Sequence, residues 1–369
     1  MDRRDFLLTT GGAVVAATST ASAHATAAAD GAPGQEAPSS AHGAPVLRLG
    51  MAFPDTANGP SDTVRRLARR FETMTRGRYR IEIVADRTPD GDADLFFGSA
   101  HDFASRHPAF AYFAGLPGGS GLAAGALAQW IAVGGGQMLW DDLAATHGWK
   151  PLLAGHTGSA PLLWSRTPIT GLDSLAGARV AADGLGADVV RALGADPVAR
   201  PAGGTTSALT DGVVQAIEYG GAVASLASGV ARAASHATGS LAMGQGAGLG
   251  LNGHGTALAL NVRLSVWSKL SEADQAVLTA AASESYQADV AEALVHERIA
   301  RQVLEGSFGV RIAPWPSEVT EAIDRVAEAT IAHVAGTDAE AERIDRSYFA
   351  FRNMLSGVPA EPRKLTAIG

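Results

Sequence analysis

Residues 177–204 hold the stretch whose spacing most resembles a chemical motif. A strand-like run at 178–182 meets the turn Gly184-Leu185-Gly186, an apolar-periodic helix follows, and a short strand, Pro197-Val198-Ala199, comes after Gly194. Strand, Gly-x-Gly, helix, strand is how a dinucleotide-binding unit begins. That chemistry needs a third glycine three residues after the second, and an acidic residue about 20 positions on for the ribose hydroxyls. Val189 occupies the glycine position, and residues 203–207 read GGTTS, without a carboxylate. The glycines are therefore expected to close a tight α/β turn, not to cradle phosphate.

Other chemistries fail on spacing. Asn252-Gly253-His254-Gly255-Thr256 contains the His-Gly-Thr of subtilisin-like proteases, but no segment for the serine nucleophile follows. Gly-x-Ser-x-Gly, the elbow of α/β-hydrolases, is absent. His101 and His107 are six apart and His147 and His156 nine apart, in different elements, where metal sites need clustered ligands. These histidines are expected on surfaces or loops. No enzyme activity, metal or other cofactor is expected. Trp130 and Trp140 fall among apolar neighbours and are expected in the core, whereas Trp164 ends a strand and could border a cleft.

The elements that would position these residues alternate. Strands are predicted at 46–53, 79–84, 94–97, 151–164 with a break at Thr157-Gly158, 213–217 and 256–262. Helices are predicted at 61–75, 129–147 (with Met138 on its apolar face) and 206–211. Another starts at the Ser271 cap and runs to about residue 305, and a last one begins near Ser317. Alternation of this kind makes α/β layers. Two α/β groups, crossed by two strands and followed by a long helix, predict a two-lobed binding protein with its ligand in the cleft.

Composition narrows the class. The 369 residues are 46% apolar and 18% charged, enough for a sizeable core. A net charge of −8, with scattered basic residues, disfavours a nucleic-acid surface. Arg3-Arg4 precede an apolar run at 6–17, and Ala21-Ser22-Ala23 is a small-x-small cleavage site. This reads as a twin-arginine signal peptide over 1–23, which implies a soluble periplasmic protein. The absence of cysteine excludes disulfides and lipoprotein acylation. Residues 24–45, rich in Ala, Gly, Pro and Ser, read as a flexible leader.

Several stretches, in order, resemble one family. They are Pro108-Ala109-Phe110-Ala111-Tyr112-Phe113, Gly134-Gly135-Gly136-Gln137-Met138-Leu139-Trp140-Asp141, Gly155-His156-Thr157-Gly158 and the 177–204 unit. Gln215-Ala216-Ile217-Glu218-Tyr219, Trp267-Ser268-Lys269-Leu270 and Ser347-Tyr348-Phe349-Ala350-Phe351-Arg352 follow. The chain resembles the solute receptors of tripartite ATP-independent periplasmic (TRAP) transporters, in the dicarboxylate and keto-acid group, over about residues 46–352. The resemblance implies the two-lobed periplasmic binding protein fold, with two crossing hinge strands and a long C-terminal helix. Lobe I would span 46–157 and lobe II 158–258; 259–355 would hold the hinge return and C-terminal helices, and 356–369 a tail. It also implies a small-molecule ligand and membrane permease subunits as partners.

The pocket departs from the pattern. The family's carboxylate-gripping arginine falls at Ala181 and the proline after it at Asp183; the family's glutamine falls at Ala160. Its Glu-Trp pair becomes Glu218-Tyr219, and a second glutamate falls near Gly253. About twenty residues, a helix in the family, are missing between Val84 and Asp94. The resemblance thus places Glu218, Tyr219, Asp183, Ala181, Ala160, Trp164 and His156 at the ligand. Losing the arginine argues for a cationic or uncharged ligand. The alternative is a receptor fold kept for a structural or partner role without a ligand.

Overall fold

The computed structural model describes residues 43–53, 59–158, 161–199, 204–239, 251 and 254–357. The expected signal peptide, most of the leader and the tail, Ala160 and Gly253 lie outside the described residues.

In chain order the strands are β1 (Val46–Met51), β2 (Arg80–Ile83), β3 (Leu95–Ser99), β4 (Trp149–His156), β5 (Leu162–Ser165), β6 (Arg179–Ala181), β7 (Asp196–Val198), β8 (Ala216–Tyr219), β9 (His236–Thr238), β10 (Ala257–Arg263) and β11 (Arg311–Ala313). The helices are α1 (Pro60–Met74), α2 (Ala124–Val133), α3 (Gly136–Ala145), α4 (Gly184–Ala192), α5 (Thr205–Thr210), α6 (Ala222–Ser228), α7 (Leu264–Trp267), α8 (Glu272–Phe308), α9 (Ser317–Ala335) and α10 (Ala339–Ser356). Two sheets result, one per lobe. Sheet I has the order β2-β1-β3-β10-β4 and sheet II β11-β9-β5-β8-β6-β7.

Local chemistry explains the elements. Helix α1 starts on Pro60, whose missing N–H costs nothing in the first turn, and it buries Val64, Leu67 and Phe71 at helical spacing. Helix α8 starts where the Ser271 hydroxyl accepts the Asp274 N–H at 3.1 Å, and it stops at Gly309, whose φ of 66° suits glycine. The helix expected over 129–147 is two helices. The chain breaks at Gly134-Gly135, with Gly135 at φ 88°, and Met138 then faces solvent at 64% exposure instead of packing inward. Trp130 and Trp140 do enter the core, each stacked on Phe113 with ring centroids 5.2 and 5.0 Å apart. Between β2 and β3 the described chain has only turns.

Strands β4 and β10 pair antiparallel in sheet I, and the chain passes to sheet II after β4 and returns through β10. The 37-residue α8 touches both lobes. Asp289 on α8 accepts from the Thr63 hydroxyl (2.8 Å), the Arg66 guanidinium (2.7 Å) and the His156 N–H (3.1 Å), all in lobe I. Glu297 accepts from the N–H groups of Ala222 (2.6 Å) and Val223 (3.2 Å), capping α6 in lobe II. Residues 259–355 serve both layers. β10 and α10 pack in lobe I, with Ile344 and Tyr348 in its aromatic core, while β11 joins sheet II and α9 buries Val319 and Ile323 there.

Candidate ligand-binding cleft

Strands β1, β2 and β3 run parallel, so Met51, Ile83 and Ser99 end at one edge of sheet I. Strands β6, β7 and β8 run parallel, so Ala181, Val198 and Tyr219 end at one edge of sheet II. In open α/β sheets ligands bind beyond the carboxyl ends of the strands. Here the two edges meet. A Cβ on Gly184, which opens α4, would lie 3.5 Å from Nδ1 of His101, two residues past β3. Leu185 packs against the lobe I core.

The predicted unit at 177–204 folds as strand, helix and parallel strand: β6, α4, β7. Gly184 needs glycine, because its φ is +57°. Asp183 is exposed at the N-cap position, yet its side chain does not cap α4. Glu218 is 4% exposed and Tyr219 half-buried, at the end of β8. Ala181 is 1% exposed and brings only a methyl group. Arg179 cannot replace the lost arginine. It lies at the opposite end of β6, where Nη2 donates to the Gly212 carbonyl at 2.7 Å and the backbone N–H to Gln215 Oε1 at 2.9 Å.

Two expectations are corrected. Trp164 does not border the cleft. Strand β5 runs antiparallel to β8, so Leu162 sits beside Tyr219 and Trp164 lies two residues deeper. Its indole N–H donates to Ser225 Oγ at 2.9 Å inside the lobe II core. His101 and His156 are not simple surface histidines. The His156 ring is buried edge-on against Tyr286, with centroids 5.8 Å apart, and Nδ1 accepts the Gly158 N–H at 3.1 Å.

Burial pulls His156 down to about 4, and the nearby His254 adds to the effect. A histidine held neutral stabilises the fold fully above its ordinary value of 6.5, and that contribution fades as pH falls toward 4. His156→Phe keeps a ring on Tyr286 but cannot titrate. Between pH 7 and pH 5 the wild type should therefore lose about 2 kcal/mol more stability than this variant. Urea unfolding at the two pH values measures it; equal losses would place His156 elsewhere.

Sequence reasoning missed Asp289 and Glu297. The available signal was two acidic residues on a stripe that is otherwise buried at Leu278, Ala282, Tyr286, Ala300 and Leu304. His101 was missed because only the fold brings it to Gly184.

The family model for bacterial extracellular solute-binding proteins, family 7, matches residues 60–337. The chain belongs to that family. A curated relative of this family 7 protein is the monocarboxylate 2-oxoacid-binding periplasmic protein of Nostoc sp. It is 25% identical over 302 residues, covering 78% of this chain and 79% of the relative. Solved structures share its fold. One is a TRAP transporter solute-binding protein from Bordetella bronchiseptica with calcium and picolinate bound: TM-score 0.77, 20% identity, 85% of this chain and 93% of that one. Another, from Chromohalobacter salexigens, holds (S)-(+)-2-amino-1-propanol: TM-score 0.71, 16% identity, 85% of this chain and 97% of that one.

Among the described residues no group of three or more His, Asp or Glu that could hold a metal ion gathers. No helix among the described residues is long and apolar enough to cross a membrane.

Proposed function

We propose that this family 7 protein is the periplasmic receptor of a TRAP transporter, exported by the twin-arginine route, and that it passes a small cationic or uncharged solute to membrane permease subunits. The observation that carries the ligand class is the charge at the sheet II edge. Asp183 and Glu218 stand there, Ala181 replaces the guanidinium fork, and Arg179 is engaged with Gly212 at the far end of its strand. A carboxylate ligand would meet acidic groups without its bidentate partner, which is the costly arrangement. The bound amino alcohol of the Chromohalobacter structure supports the reading that this fold can hold an amine. The Nostoc relative, named for 2-oxoacids, supports the receptor role while representing the other ligand class.

A ligand that binds only the native state raises the melting temperature by mass action. A thermal-shift screen of amines, amino alcohols, sugars, keto acids and dicarboxylates should give its largest shift with an amine or a neutral solute. Shifts confined to the acids would overturn the ligand class, and no shift from any compound would overturn the receptor role.

A further inference from the structure

We propose that Glu297 is the positioning residue that sets the solute-facing link of lobe II and ties that link to the hinge. This rests on the receptor reading above and adds a residue and a coupling to it.

The link is the stretch 219–222, from Tyr219 at the end of β8 to Ala222 at the start of α6. Two side chains hold it. On one side the Ser225 hydroxyl donates to the Gly220 carbonyl at 3.0 Å and accepts the Trp164 indole N–H at 2.9 Å. On the other, the Glu297 carboxylate accepts the first two N–H groups of α6, from Ala222 at 2.6 Å and Val223 at 3.2 Å. Groups at that position have no partner within their own helix. Glu297 is 2% exposed, so water offers them no ready substitute. The link is also closely packed, because a Cβ on Gly220 would lie 2.8 Å from Cβ of Ala224. Glu218 and Tyr219 therefore owe their placement in part to a carboxylate on α8.

The same carboxylate meets the hinge. The end of β4 runs along α8, where the His156 N–H donates to Asp289. Two helical turns further on, a Cβ built on Gly158 would lie 3.3 Å from Oε1 of Glu297 and 3.4 Å from Cβ of Ala293. Gly158 has a φ of +96°, a conformation that favours glycine. Beside it the two crossings bond to each other. The Thr157 N–H donates to the Thr256 carbonyl at 3.0 Å, and the Thr256 N–H donates to Thr157 Oγ1 at 2.9 Å.

Closure of two lobes is absorbed by a few loop or element-terminal residues that change φ and ψ. Gly158 stands at such a position, where β4 has ended and the chain crosses to lobe II. A change of its torsions moves the backbone that packs on Glu297. The carboxylate passes that movement to the Ala222 and Val223 N–H groups, and so to the link that carries Tyr219. One side chain thus joins the state of the hinge to the set of the strand end. Glu297 acts through the link and not on the solute itself.

The test compares the full-length exported protein with Glu297→Gln, Gly158→Ala, their double variant and Leu304→Ala. The probes are 2-amino-1-propanol, putrescine, pyruvate and succinate, in calorimetry and thermal melts. Glutamine keeps the size of the side chain but turns an amide NH2 toward one of the two N–H groups. For whichever probe the wild type binds, Glu297→Gln should weaken affinity roughly tenfold on the folded fraction. Leu304, on the same helix, lies in the lobe II core, so its alanine variant should melt lower yet keep wild-type affinity. The double variant should bind no worse than the weaker single one, because both changes act on one contact. A Glu297→Gln protein that melts lower but keeps its affinity would make Glu297 a structural cap and overturn the proposal, with the receptor role left standing. Single effects that multiply in the double variant would overturn the tie to the hinge. Amide NMR of the wild type gives a result even where a variant fails to fold. Saturating solute should shift the Ala222 and Val223 resonances, and unmoved resonances would overturn the proposal. Silence of the wild type toward all four probes would remove this role together with the receptor reading.

Discussion

Replacing Asp289 by alanine is expected to lower the unfolding free energy by about 3 kcal/mol, because it strips a buried polar junction of its acceptor. The Asp289 side chain is 7% exposed and receives the Thr63 hydroxyl, the Arg66 guanidinium and the His156 N–H. Alanine would leave the hydroxyl and the N–H unmatched. The charge itself contributes less than the acceptor geometry. Burial pushes the carboxyl up to about 6, despite the lowering by Thr63, His156 and Arg66. Holding it ionised therefore costs stability as pH rises from its ordinary 3.8 to about 6. Asp289→Asn, uncharged but still an acceptor, should cost less than about 1 kcal/mol at pH 7. Its stability should also improve relative to wild type as pH rises from 4 to 6. Chemical denaturation of both variants separates the two contributions. An asparagine variant as damaged as the alanine one would show that the ion pair with Arg66 dominates. Since His156 closes β4 just before the chain crosses to lobe II, the alanine variant should also loosen the hinge.

The second large effect concerns the missing fork. A charge-assisted bidentate contact contributes about 1.5–3 kcal/mol, so its absence weakens a carboxylate by roughly tenfold to more than a hundredfold. Ala181→Arg, made with Ala160→Gln, should raise the affinity for pyruvate by at least tenfold. Ala181 is 1% exposed, so the long side chain must leave the core toward the strand edge, at a stability cost of about 1–3 kcal/mol. Pyruvate affinity measured on the folded fraction checks this. No gain would mean that Asp183 captures the new guanidinium or that the cleft lies elsewhere.

Much of this architecture could be read from residue order. Periodicity located α1 and β1, and the Ser271 cap with its acidic first turn located α8, because these signals are local. The glycines of the 177–204 unit read as closing a tight α/β turn, since a missing third glycine is visible in one dimension, and the turn joins β6 to α4 ahead of the parallel β7. Long-range pairing was not legible. Trp164 reads as a strand end, but antiparallel pairing of β5 with β8 sets it two residues inside the edge. His101 reads as a loop histidine, and only the meeting of two sheet edges gives it a partner surface. Asp289 and Glu297 went unread in the sequence, because nothing local shows that each ties the helix to a different lobe. Gly134-Gly135 looked tolerable within one helix, and a positive φ there ends it.

Calorimetric titration of the wild-type protein with 2-amino-1-propanol and with pyruvate, at pH 7 in one buffer, tests the central claim most directly. The acidic sheet II edge and the engaged Arg179 predict measurable heat and saturation with the amino alcohol, with pyruvate at least a hundredfold weaker. Micromolar binding of pyruvate, with none of the amino alcohol, would contradict the account and require a basic group that grips the carboxylate in place of the missing fork.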